Sequence, residues 1–305
     1  MLAYILRRVF QSIIVLLVVG LVAFSMFRFV GDPIEQLLGQ ERTQADVERL
    51  REALGLNDAF VVQYLNFLGR ALQGDFGISY RQSRPVADII AERLPATLEL
   101  ALISGMLAVG LGIALGVFTA IRRDGVAANI IMSTSLIGVS LPTFGRGDVV
   151  DLGWWTTGLL TESGLKSLIL PSITLGLYQM TLIMRLVRSE MLEVLRMDYI
   201  RFARARGLRA RAVNFRHALK NTMVPVITVT GLQLGSIIAF AIITETVFQW
   251  PGVGLLFINA VQFVDIPVMA AYLMLISVMF VLINLVVDLL YVWVDPRLRI
   301  DGRAA

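Results

Sequence analysis

Six apolar runs, each 17 residues or longer, constrain this chain more than any other feature: 9–30, 98–121, 126–144, 168–184, 223–248 and 268–294. A helix that crosses a bilayer needs about 20 largely apolar residues. In hydrocarbon only helices and closed barrels satisfy their own backbone polar groups. Runs of this length without a period of two fit helices, so the expected fold is an all-α integral membrane protein with about six spans. Charged residues make up only 16% of the chain, against about 25% in a typical soluble domain. The first run exceeds the apolar stretch of about 7–15 residues in a signal peptide and reads as a retained helix.

Basic residues set the expected orientation, because segments on the cytoplasmic side are enriched in Arg and Lys. With the N-terminus inside, the inner segments hold Arg7, Arg8, Arg122, Arg123, ten basic residues from Arg185 to Lys220, and Arg297, Arg299 and Arg303. The short segment 249–267 on the other side holds none. Both termini are then cytoplasmic.

The chain divides into an N-terminal end and first span (1–30), an outer loop or cap (31–97), and a core (98–305) with an inner loop at about 185–222. Within the outer loop, Thr43 and Gly55 bracket one short helix. Val62, Leu65, Leu68 and Leu72 fall on one face of another. Gly112 with Gly116, and Gly231 with Gly235, have the spacing that lets helices pack closely, and internal packing is the expected use. Glu99, Glu245 and Asp288 lie in or beside spans, within reach of an interface; snorkelling or interfacial pairing is the expected account. Trp250 reads as an interfacial anchor, with Pro251 and Gly252 making a turn. Without cysteine and with one histidine, His217, the chain has no multi-histidine or thiolate metal site.

The inner segment "DYIRFARARGLRARAVNFRHALKNTMVPV" (198–226) is basic, as a positive-inside anchor would be. An anchor does not need its small residues Ala203, Ala205, Gly207, Ala210 and Ala212, nor the stripe Leu208, Ala212, Phe215 and Leu219. A helix, a break near Gly207 and a second helix entering the membrane at Pro225 make a stiff elbow suited to docking a soluble partner. A nucleic-acid arm would need aromatics interleaved with the charge, and that pattern is missing.

This segment resembles the coupling (EAA) loop of ABC-importer membrane subunits. The resemblance narrows to the dipeptide/oligopeptide (peptide/nickel) permeases through "GDPIEQLLGQ", "LREALGLNDAFVVQYLNFLGRALQGDFGISY", "RLPATLELAL", "VSLPTF", "LILPSITLGL", "ITETVFQWPGVG" and "DPRLR". It covers nearly the whole chain and implies the type I importer permease fold. In that family the loop forms a coupling helix seated on an ATPase subunit, which puts Asp198, Tyr199, Ala203, Ala205, Gly207, Leu208 and Ala212 at that interface. Phe202 stands where the loop's name expects glutamate. The implied partners are a second homologous permease, two ATP-binding subunits and an extracytoplasmic binding protein; the implied cargo is a short peptide, with nickel chelates or glutathione as the alternative.

A phosphate-cradling loop needs glycine-lysine followed by serine or threonine. Lys166 and Lys220, the only lysines, each follow leucine. This chain therefore cannot carry that ATP site itself; the resemblance implies that ATP and magnesium bind partner subunits and that this chain is a transport subunit with no cofactor of its own. Polar residues of the later spans, Gln233, Ser236 and Thr244, together with Glu245, Trp250 and Pro251, are the expected pathway and gate. A gradient-driven transporter, which would need an ion relay within the spans, and a membrane assembly factor that binds partners but moves nothing are the rivals from other classes. After "SLPTF" the chain runs directly into "GRGDVVDLGWW", where relatives carry about twenty more apolar residues before their own glycine-rich stretch, so a shortened third span is expected.

Overall fold

A computed structural model of the chain describes residues 2–29, 48, 58–121, 144–153 and 155–294. Its helices are α1 (Leu2–Phe29), α2 (Phe60–Leu72), α3 (Val86–Ile121), α4 (Glu162–Val194), α5 (Asp198–Ala205), α6 (Leu219–Phe248), α7 (Val253–Gln262) and α8 (Ile266–Val294). A two-residue antiparallel hairpin, β1 (Val150–Asp151) with β2 (Thr156–Thr157), precedes α4. Four helices are long and apolar enough to cross a membrane, and α6 makes a fifth if its two halves, bent by 42°, count as one span. The expected third span, 126–144, lies outside the described residues apart from Phe144, as does the expected helix at 43–55 apart from Glu48.

The five spans sit where the apolar runs put them but extend further. α3 begins at Val86 rather than Leu98, and α4 runs to 33 residues. Both absorb polar flanks because helical propensity and packing continue beyond the apolar stretch. Pro95, Pro171 and Pro225 lie inside α3, α4 and α6. Membrane helices tolerate such prolines because neighbours satisfy the freed backbone groups.

Glycine decides how closely the spans approach. A Cβ on Gly112 would lie 2.9 Å from Ile183 Cβ, and one on Gly116 would lie 2.6 Å from Val187 Cβ. Farther along the same seam, a Cβ on Gly176 would lie 3.0 Å from the Ser104 carbonyl. These three contacts lock α3 onto α4. Gly231 faces Val287 and Gly235 faces Phe280, which seats α6 on α8. Both glycine pairs thus serve packing within the chain, as expected.

The outer-loop helix α2 packs differently from its sequence pattern. Of the four stripe residues, Val62, Leu65 and Leu72 are exposed and Leu68 packs against α1, while Gln63 and Phe67 are buried. The contact face is aromatic: Phe60, Tyr64 and Phe67 surround Phe24 of α1. The Tyr64 hydroxyl donates to the Leu17 carbonyl at 2.6 Å. Reaching Leu17 places α2 alongside α1 rather than above its end. The apolar stripe therefore runs mostly along the exposed side and does not identify the contact face.

Substituting Gly116 by leucine should overpack the α3–α4 seam at a cost of about 1–3 kcal/mol, whereas Gly110→Ala, with nothing within 4 Å, should be near neutral. Thermal unfolding of the detergent-solubilised protein measures both; equal midpoints would disprove the seam's role.

Candidate functional site

At one end of the bundle, buried polar side chains bring α3, α6, α7 and the 144–161 segment together. Glu245, near the end of α6, is fully buried. Thr97 of α3 donates its hydroxyl to Glu245 Oε1 at 2.5 Å. The Leu255 backbone N–H donates to Glu245 Oε2 at 2.9 Å, and the Gly254 N–H also bonds this carboxylate. The Val253 N–H donates to Thr97 Oγ1 at 2.9 Å. The first-turn N–H groups of α7 thus find their acceptors on two other helices. This satisfies the orphan donors that every helix start carries.

The spacing within "ETVFQWPGVG" follows from this cap. A Cβ on Gly252 would collide with the Glu245 carboxyl group, and one on Gly254 would lie 2.9 Å from Glu245 Oε2. Gln249 takes a left-handed conformation (φ 50°) that closes α6. The chain then folds back, and Trp250 becomes 1% exposed with its indole N–H donating to the Ala96 carbonyl at 2.9 Å. Trp250 is therefore a core residue of the junction and no interfacial anchor.

A second buried group lies beside the first. Arg146 donates to Glu99 Oε2 at 2.6 Å, and both side chains are buried. The same guanidinium donates to the Thr156 carbonyl at 2.7 Å and to Thr156 Oγ1 at 3.1 Å. Arg146 thereby pins the hairpin to α3, while the Gly145 N–H bonds the Phe248 carbonyl at 2.9 Å. Neither Glu99 nor Glu245 snorkels: burial forces each carboxylate to recruit donors from elsewhere in the chain. The side chain of Asp288 lies outside the described residues. Sequence reasoning missed both groupings; the signal was a glutamate near one end of each of two apolar runs, matched by an arginine and a threonine at no local spacing.

Between α4 and α6, starting one residue before Glu245, opens a cleft of about 390 Å³. Thr244 lines it together with Gln179 and the ring pair Tyr178–Phe240. Gln179 donates to Ser236 Oγ at 2.7 Å, and Ser236 donates to the Gln233 carbonyl at 2.7 Å. Of the residues expected along a pathway, Thr244 borders the cleft, Ser236 and Gln233 are tied to its wall, Pro251 is half-buried, and Glu245 and Trp250 belong to the junction.

The opposite end carries the basic elbow. α5 turns Ile200 and Ala203 inward, where they join Val187, Met191, Val194, Val213 and Ala218 in one core cluster. Gly207, at φ 77°, follows α5 and reverses the chain, as the expected break required. A π-helical turn, Ala212–Ala218, then feeds directly into α6. π-turns within helices cluster at functional sites. The Asn221 amide donates to the Tyr199 hydroxyl at 2.6 Å and braces α5 against α6. The outer surface is apolar between arginines: Met197, Tyr199, Leu208 and Phe215 are exposed, and Phe202 is 64% exposed. Asp198, Ala205 and Gly207 share that surface, while Ala212 is half-buried. Among the described residues no group of three or more metal-binding side chains is present.

Breaking the buried ion pair with Glu99→Leu should cost about 3–5 kcal/mol, whereas Glu99→Leu with Arg146→Met should recover most of that loss. A double-mutant cycle on thermal unfolding measures it; additive losses would show that the two side chains are not coupled.

The chain matches the family described as binding-protein-dependent transport system inner membrane component over residues 112–300, and that family's N-terminal component over residues 1–101. It is 41% identical over 315 residues to the oligopeptide transport system permease of Bacillus subtilis, covering 98% of this chain and 100% of that protein. It is 37% identical over 332 residues to the dipeptide transport system permease of Alkalihalophilus pseudofirmus, with 98% and 100% covered. It is 37% identical over 306 residues to the glutathione transport system permease of Escherichia coli K12, with 98% and 99% covered. The alignment to the dipeptide permease leaves room for the expected missing stretch of about twenty residues, and that to the glutathione permease does not; the third span itself lies outside the described residues. By these matches the chain belongs to the peptide-type permeases of ABC importers, the binding-protein-dependent transport system inner membrane components.

Proposed function

We propose that this chain is the membrane-spanning permease of an ATP-driven importer of short peptides, working by alternating access in the cytoplasmic membrane with both termini inside. It pairs with a second homologous permease, two ATP-binding subunits that hold ATP and magnesium, and an extracytoplasmic binding protein. The observation that carries the reading is the elbow at α5. Its inner face is packed into the bundle, and its outer face leaves Tyr199, Phe202, Leu208 and Phe215 exposed among arginines. Aromatic and aliphatic anchors ringed by arginine have the composition of a protein-binding patch. Patches of this kind mark interaction sites.

A motion imposed on such an elbow passes into the spans through its packed inner face. α5 is bound to the inner end of α4 through the core cluster and to α6 through Tyr199–Asn221. The seam of Gly112, Gly116 and Gly176 couples α4 to α3. Tilting α4 and α6 against each other changes the cleft between them. Cargo then meets Thr244, Gln179 and the aromatic pair on its way through. The names of the relatives favour dipeptides and oligopeptides as cargo, with glutathione, itself a short peptide, as the second reading.

Reconstituted with its partner subunits, the chain should accumulate peptide in vesicles only when ATP is supplied. Phe202→Asp should reduce uptake at least ten-fold by weakening ATPase attachment, seen as loss of co-purification. Gly207→Val, which forces a β-branched residue to φ 77° at a cost of about 1–3 kcal/mol, should lower uptake while the ATPases remain bound. Full uptake in both variants, or uptake driven by an ion gradient in ATP-depleted vesicles, would overturn the reading.

A further inference from the structure

The junction end holds a second concavity, distinct from the cleft. It has a volume of about 280 Å³ and lies between the 79–82 loop, the first turns of α3, α7 and the start of α8. Arg81, Gln82, Arg93, Asn259 and Asp265 supply its polar lining. Asp265 is buried and already committed. It accepts from the Ser79 hydroxyl, from the Tyr80 N–H at 3.2 Å and from the Arg81 N–H at 3.4 Å. Its role is to hold the loop that presents Arg81.

The cations are not committed in the same way. The Arg81 guanidinium lies 3.5 Å over the Phe263 ring, a contact that fixes its position and leaves its N–H edge available. Arg93 is half-buried and joins no ion pair among the described residues, since the adjacent Glu92 is taken by Arg84. The pocket therefore offers two guanidinium groups and two side-chain amides around one carboxylate whose oxygens are in use. Guanidinium matches carboxylate with two parallel hydrogen bonds. The volume falls below the 300–1,000 Å³ or so that encloses a whole small-molecule ligand, so it admits one terminal group and a small side chain.

We propose that this pocket is a subsite for the free terminal carboxylate of the arriving peptide. The inference rests on the reading of the chain as a peptide importer, which places this end outside. Arg81 and Arg93 bind the carboxylate, Gln82 and Asn259 donate to the last peptide unit, and the charge preference orients cargo before it reaches the cleft.

Binding of radiolabelled trialanine to the assembled permease–ATPase complex in nanodiscs, without binding protein, tests it. Unlabelled trialanine should compete at least ten-fold better than trialanine amide. Arg93→Gln should erase that preference by weakening trialanine alone, and Arg93→Lys should restore part of it. Where Arg93→Gln does not assemble, Arg81→Gln carries the same comparison from the loop. Equal competition by the two probes, no trialanine binding, or an unchanged preference in the variants would overturn the subsite. Equal loss of both probes would instead show that these arginines serve the shape of this end. The peptide-importer reading stands or falls separately, on ATP-driven trialanine uptake by the complete wild-type assembly.

Discussion

The Glu245 carboxyl group is the contact on which the junction depends, and it answers a constraint that burial imposes. A short helix such as α7 begins with N–H groups that have no internal partner. At a site from which water is excluded, each unsatisfied donor costs about 1–3 kcal/mol. The chain meets this with one carboxylate and one hydroxyl drawn from two different spans. Everything nearby adjusts to that group: Gly252 and Gly254 lack side chains because the carboxyl occupies the space. Trp250 closes the core over the Ala96 carbonyl. The same group that satisfies α7 therefore fixes α3 against α6.

The Arg146–Glu99 pair extends this rigidity to the hairpin, and the two ends of the bundle then differ in kind. At the junction, loops are held by buried, charge-assisted hydrogen bonds over long sequence separations. At the basic end, α5 is held by apolar contacts on one face and one amide–hydroxyl bond, and its other face is bare. A buried polar network tolerates little displacement, because moving it strands a charge. Apolar packing on a single face can slide at lower cost. Motion imposed at α5 is thus expected to pivot about the junction, with the glycine seam between α3 and α4 as the stiff lever.

Much of this was legible in the chain, and the boundary of legibility is physical. Spans, close-packing glycines and the break at Gly207 are written in local periodicity, in the absence of a side chain, or in a conformation only glycine adopts freely. The pairings of Glu99 with Arg146 and of Thr97 with Glu245 are not, because 47 and 148 residues separate the partners. A window along the sequence sees only a stray acid in an apolar run and assigns it to an interface. α2 misled for a different reason. Of its stripe only Leu68 packs inward, while Val62, Leu65 and Leu72 face outward and Phe67 makes the contact, so the apolar spacing did not mark the packed face.

The small residues of the elbow illustrate how one motif can answer several demands. Ala203 is small because it packs inward beneath α4 and the π-turn, where a larger side chain would lift α5 from the bundle. Gly207 is glycine for its backbone: a Cβ there would meet open space, yet φ is positive. Ala205 lies on the exposed face, where small size brings an approaching surface close to the backbone. A substitution at Ala203 therefore reports on folding, one at Gly207 on the geometry of the turn, and only those at Ala205 and its exposed neighbours report on contact with a partner. Loss of transport after changing Ala203 would be no evidence of a docking site, whereas the same loss at Phe202, which is 64% exposed and outside the core cluster, would be.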